Sequence, residues 1–129
     1  MLSEVRADGN ETYVQAGWLR ASQRALDQDQ ATALRPVQTH LEVDVAPLPE
    51  GQFELARVEI FPFAHIFRAG SRIRIQIDTP GDSRELWRFL LLEYEGPVTH
   101  TIAHSAPYPS SVALPLIPMS PVESSPPPC

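Results

Sequence analysis

Proline is the strongest constraint on what this chain can fold into. Fourteen of its 129 residues are Pro, spread from Pro36 to Pro128. Proline lacks an N–H and fixes φ, so it breaks helices and is confined to the edges and ends of strands. A helical protein is therefore disfavoured, and the remaining option for regular structure is a set of short strands joined by turns.

The strand pattern starts at the N-terminus. Leu2-Ser3-Glu4-Val5-Arg6-Ala7 and Glu11-Thr12-Tyr13-Val14-Gln15-Ala16 flank Asp8-Gly9-Asn10. Asp-Gly between two β-prone runs is a hairpin signal, because Gly reaches positive φ without strain. Strands are expected over about 2–7 and 11–16, with a bulge or bend at Gly17 and the second strand continuing towards Ser22. Residues 23–36 read as a short helical turn or an ordered loop, followed by an extended connection through Pro36, Pro47 and Pro49 to Gly51. Residues 53–62 alternate Ala56, Val58 and Ile60 with Arg57 and Glu59, the period of a half-buried strand. The clearest element is Arg72-Ile73-Arg74-Ile75-Gln76-Ile77-Asp78. Its three Ile are expected on the core and its Arg in solvent, because β-branched residues suit a pleated, half-buried surface. The run Leu86-Trp87-Arg88-Phe89-Leu90-Leu91-Leu92 fits strand or helix by period alone, and its β surroundings favour extended chain. Residues 98–102 and 112–117 read as two last strands. The segment from 119 to 129 is rich in Pro and Ser and is expected to be a disordered tail. The fold class expected is all-β, an antiparallel jelly-roll sandwich over residues 1–118.

Charge and composition exclude several functions. The net charge is −6, and all ten basic residues are scattered Arg. A nucleic-acid partner requires a basic surface, so none is expected. No apolar run approaches the roughly 18 residues of a membrane span, and no signal peptide is evident, so a cytoplasmic location is expected. Cys129 stands alone and has no internal partner for a disulfide.

No G-x-S-x-G pentapeptide is present. Ser71 and Ser83 follow turn glycines but lack the flanking residues of a nucleophile elbow, and they read as turn serines. His100 and His104 would lie about 13 Å apart on one face of a strand, too far to share a metal. With His40 and His65 they read as ordinary surface or hydrogen-bonded histidines, because metal sites need three or four ligands. Tyr13, Trp18, Trp87 and Tyr94 suit packing better than a sugar-binding face. Arg20, Arg24, Arg72 and Arg74 suit pairing with carboxylates better than an anion site. No catalytic, cofactor-binding or metal-binding residue is assigned, and no cofactor is expected.

Four stretches, taken together, carry a resemblance. They are Ser3-Glu4-Val5-Arg6-Ala7-Asp8-Gly9, Gly17-Trp18-Leu19-Arg20-Ala21-Ser22, Phe67-Arg68-Ala69-Gly70-Ser71-Arg72-Ile73-Arg74-Ile75, and Pro109-Ser110-Ser111-Val112-Ala113-Leu114-Pro115-Leu116-Ile117-Pro118. In order and spacing they resemble the C-terminal domain of the cocaine-esterase and X-Pro dipeptidyl-peptidase (CocE/NonD) family of serine hydrolases. The resemblance implies a galactose-binding-like jelly roll that packs on an α/β-hydrolase catalytic domain and helps shape its cleft. It carries no triad residue onto this sequence. Gln38-Thr39-His40 departs from the His-Thr-His expected there. Met1 falls almost at the Glu4 strand, where the family has earlier strands, so the sandwich is expected to be incomplete. Exposed strand edges and self-association would follow from that. The rival reading is a free-standing β-sandwich module, for instance one that binds carbohydrate. A decayed fragment is a third reading.

Overall fold

The computed structural model describes residues 1–79 and 96–117. Its regular structure is one antiparallel sheet and two isolated 3-10 turns, so the described chain is all-β. Strand β1 (Leu2–Val5) is central, with β2 (Glu11–Gln15) on one side and β3 (Arg72–Ile75) on the other.

The β1–β2 hairpin forms where the Asp-Gly signal places it. Gly9 has φ +87°, a left-handed conformation that glycine adopts without strain. The turn is closed by Arg6 N–H on the Asn10 carbonyl at 2.9 Å and by Asn10 N–H on the Asp8 carboxylate at 2.9 Å. Leu2 pairs with Gln15 and Ser3 with Tyr13, so Val14 is an extra residue in β2 and makes a bulge.

β3 arrives from about seventy residues away and pairs Val5 with Arg72, Glu4 with Ile73, Ser3 with Arg74 and Leu2 with Ile75. The ladder continues one step further. Gln76 N–H donates to the Met1 carbonyl at 2.9 Å, and the Met1 amine donates to the Gln76 carbonyl at 2.7 Å. This fixes the polarity of the edge. In an antiparallel ladder alternate residues turn their N–H and C=O inward. Arg72, Arg74 and Gln76 face β1, so Ile73 and Ile75 turn theirs to the open side of the sheet.

Every residue of β1 is buried, so the central strand is covered on both faces. The buried set of the described residues is small: Leu2, Val5 and Ala16 with Ser3, Glu4 and Pro36. Gly17 follows β2 and sits against residue 59, where a Cβ would lie 1.6 Å from the Glu59 carbonyl oxygen. The bend expected at Gly17 therefore has a cause in close backbone approach. Phe61 N–H donates to the Ala16 carbonyl at 3.2 Å just beyond it.

Several expectations are corrected. Residues 17–22 do not extend β2; a 3-10 turn, Ala21–Gln23, stands there instead. Residues 53–62, which carry the apolar alternation, and residues 98–102 and 112–117 form no strand. Alternation marks a side-chain pattern, whereas a strand also requires a neighbouring backbone to bond. The isoleucines of β3 alternate as expected but do not reach a core: Ile73 is 48% exposed, Ile75 40% and Ile77 66%. β3 is an edge strand, and nothing among the described residues closes over its apolar side. The run 86–92 and the tail from 119 lie outside the described residues.

Candidate functional site

Among the described residues the charged group that is buried is Glu4. It sits in the middle of the central strand and is only 1% exposed. A carboxylate in that position must find partners or lose its charge. One oxygen accepts the Arg68 N–H at 2.9 Å, and the other lies 3.0 Å from His65 Nε2. The Ser71 hydroxyl donates to it as well. Hydrogen bonding by Ser71, then by Arg68 N–H, outweighs burial and holds the carboxyl at about 2, well below its ordinary 4.5, with His65 adding to the effect. His65 packs edge-on against Phe67 at 4.8 Å between ring centres. Gly70 at φ +80° turns the chain so that Ser71 N–H bonds the Arg68 carbonyl at 3.0 Å and β3 can begin. Glu4 thus pins the 65–71 loop to the sheet and delivers β3 to its edge.

Serine, histidine and a carboxylate meet here, yet the order differs from that of a nucleophilic triad. A triad runs nucleophile to base to acid, with the histidine in the middle. Here the carboxylate is in the middle, and both Ser71 and His65 bond to it. The arrangement orients a loop and offers no base to the serine.

On the other face of the sheet, Glu11 joins the three strands. It accepts the Ser3 hydroxyl on one oxygen and the Arg74 guanidinium on the other. Arg24 is spent likewise, on the Ala46 carbonyl and on Glu54 at 3.5 Å. Arg74 and Arg24 are therefore paired with carboxylates, as the sequence suggested. Trp18 packs its ring against Phe61 at 5.2 Å, a packing role. His40, at φ +52°, His100 and His104 are exposed. Among the described residues no group of three His, Cys, Asp or Glu is placed to hold a metal, and no helix is long and apolar enough to cross a membrane. Ser83, Trp87 and Tyr94 lie outside the described residues.

The surface feature left over lies along β3, where isoleucines alternate with arginines. Val5, Ile73 and Ile75, with Arg72 and Arg74, line an open trough along β3 of about 340 Å³. Val58, Phe53 and Ile66 are also exposed.

Residues 1–113 match the family model described as the X-Pro dipeptidyl-peptidase C-terminal non-catalytic domain. The chain belongs to this family. No curated protein and no solved structure matches the chain. An X-Pro dipeptidyl-peptidase C-terminal domain is the non-catalytic part of a larger enzyme, which agrees with the clamp-like role of Glu4, His65 and Ser71. The Glu4 clamp itself was not legible beforehand. Its partners lie more than sixty residues from Glu4, and a glutamate in a strand reads as a solvent-facing residue unless the strand is known to be central.

Proposed function

We propose that this domain packs against the α/β-hydrolase catalytic domain of an X-Pro dipeptidyl-peptidase-type serine hydrolase and helps shape its substrate cleft. The observation that carries this reading is the open apolar side of β3. Ile73 and Ile75 stand half-exposed in a trough beside Val5, and exposed apolar patches of this kind mark protein interfaces. A sandwich that supplies no nucleophile contributes to such an enzyme by covering and ordering surface near the site. Family membership supports the nature of the partner.

Binding tests this directly. A catalytic domain of an X-Pro dipeptidyl-peptidase, prepared without its own C-terminal domain and shown to be folded by circular dichroism, is titrated with the chain in a calorimeter. Saturable one-to-one binding is expected, weakened at least about tenfold by Ile73→Arg, which places an unpaired charge at an apolar contact. Absence of binding, or binding indifferent to Ile73→Arg, would remove this reading.

A further inference from the structure

Two arginines meet where the β1–β2 turn comes beside the loop that delivers β3. Val5 pairs with Arg72, so one step further along the ladder Arg6 stands level with Ser71. Arg6, Ala7 and Asp8 on one side and Arg68, Ala69 and Ser71 on the other line an open hollow of about 250 Å³. We propose that this hollow binds a carboxylate between the Arg6 and Arg68 guanidinium groups.

First, both cations are uncommitted. Among the described residues neither Arg6 nor Arg68 makes an ion pair, whereas Arg24, Arg35 and Arg74 are each paired with a glutamate. Arg6 Nε is buried and has no acceptor. A guanidinium that has lost part of its hydration without gaining a partner is costly, and an anion on the same group offsets that loss. Second, the backbone that carries them is anchored before any ligand arrives. Glu4 accepts the Arg68 N–H and the Ser71 hydroxyl, and Ser71 N–H bonds the Arg68 carbonyl at 3.0 Å. Arg6 N–H bonds the Asn10 carbonyl at 2.9 Å, and the Arg6 carbonyl accepts Gly9 N–H at 3.0 Å. Anchoring of this kind lowers the ordering cost of binding. Third, charge and shape select the ligand. Asp8 is the acid that lines the hollow, and its carboxylate is already bonded by the Asn10 N–H at 2.9 Å and by the Asn10 side-chain amide at 2.8 Å. Two arginines against one aspartate leave a modest positive field in a chain whose net charge is −6. Attraction grows in proportion to an ion's charge, but the cost of removing it from water grows with the square, so a modest field favours a single negative charge. The planar guanidinium fork matches a carboxylate's two oxygens.

The hollow shares no lining residue with the trough beside Ile73 and Ile75, so it stands or falls separately from docking on a catalytic domain.

Proton–nitrogen correlation spectra of the full chain at pH 7 test the site, with sodium acetate replacing sodium chloride at constant ionic strength. Saturable shifts are expected at Arg6 Nε–H and at the amides of residues 6–8 and 68–71, half-complete at about 1–10 mM. Arg68→Gln should weaken binding at least about fivefold. Asp8→Asn keeps an oxygen for the Asn10 N–H and removes a like charge, so it should tighten binding about threefold; a misfolded variant does not gain affinity. Sulfate should bind more weakly than acetate. The carboxylate belongs either to a free small acid or to an acidic side chain of a docked protein. Arg68→Gln in the calorimetric titration tells these apart, since it weakens docking only if the partner supplies the carboxylate. Shifts that grow linearly with acetate, saturation that ignores both substitutions, or tighter binding of sulfate would overturn the proposal.

Discussion

A carboxylate buried beside apolar side chains is costly unless donors meet its charge. Glu4 meets three, from Ser71, Arg68 and His65, all on one loop. Glu4→Gln exchanges an ideal acceptor for an amide whose NH₂ faces donors. A loss of about 1–3 kcal/mol is expected in urea unfolding, the range for leaving buried partners unsatisfied. The pH dependence follows from the sign of the shift. The folded carboxyl titrates at about 2 and the unfolded one near 4.5. Its contribution is therefore complete above about 4.5 and is lost as pH falls towards about 2. Melting temperature should fall through that window in the natural chain and fall less in Glu4→Gln; equal slopes would show that Glu4 is not linked to folding. Gly17 is a second residue whose identity the fold dictates. Gly17→Ala drives a methyl into the Glu59 carbonyl, and main chain cannot move aside as a flexible side chain would. A cost of about 1–3 kcal/mol is expected, and a cost below about half a kcal/mol would place residue 59 elsewhere. The bend at Gly17 was legible because glycine is its own signal. Glu4 was not, because no local pattern ties residue 4 to residues 65–71.

At the scale of elements, the hairpin and β3 form where the sequence placed them, and the other strands expected among the described residues do not. The hairpin is local: Asp8-Gly9 sets the turn, and its strands need only each other. In β3 strict alternation coincides with a vacant neighbour, the outer side of β1. Residues 53–62 have almost the same alternation, but their main chain makes a single bond there, from Phe61 N–H to the Ala16 carbonyl just beyond β2. Period-two patterning states which side of a segment is apolar and leaves open whether another backbone lies alongside. The same distinction explains the isoleucines. Their alternation fixed the face, while their burial depends on a covering layer that the described residues do not supply. Ile75→Ala is accordingly expected to cost about 1 kcal/mol or less in the chain alone at sub-micromolar concentration, below the 2–5 kcal/mol of a buried site. A loss above about 2 kcal/mol, measured by chemical unfolding, would mean that Ile75 is packed in solution.

The molecule as a whole brings together a serine, a histidine and a carboxylate within a hydrolase family's domain, so its own reactivity is a fair question. The geometry answers it. Proton abstraction from a serine needs a base whose pKa lies near the working pH. The group bonded to Ser71 is Glu4, held at about 2, which is far too weak a base at neutral pH. His65, the residue type suited to the task, is itself engaged by Glu4 and stacked edge-on against Phe67. The Arg68 N–H, which in another setting could stabilise an oxyanion, is already donated to the same carboxylate. Base, orienting acid and oxyanion donor have thus collapsed onto one side chain, and the cluster is complete without a substrate. The chain alone is expected to show no turnover of an Ala-Pro chromogenic amide or a simple aryl ester above the buffer rate, and Ser71→Ala should leave that rate unchanged while lowering the melting temperature. Turnover that a serine-directed inhibitor abolishes and that Ser71→Ala removes would mean that the loop opens, frees Ser71 from Glu4 and pairs it with His65. That outcome would make the clamp a resting state of an active site rather than a brace for the sheet.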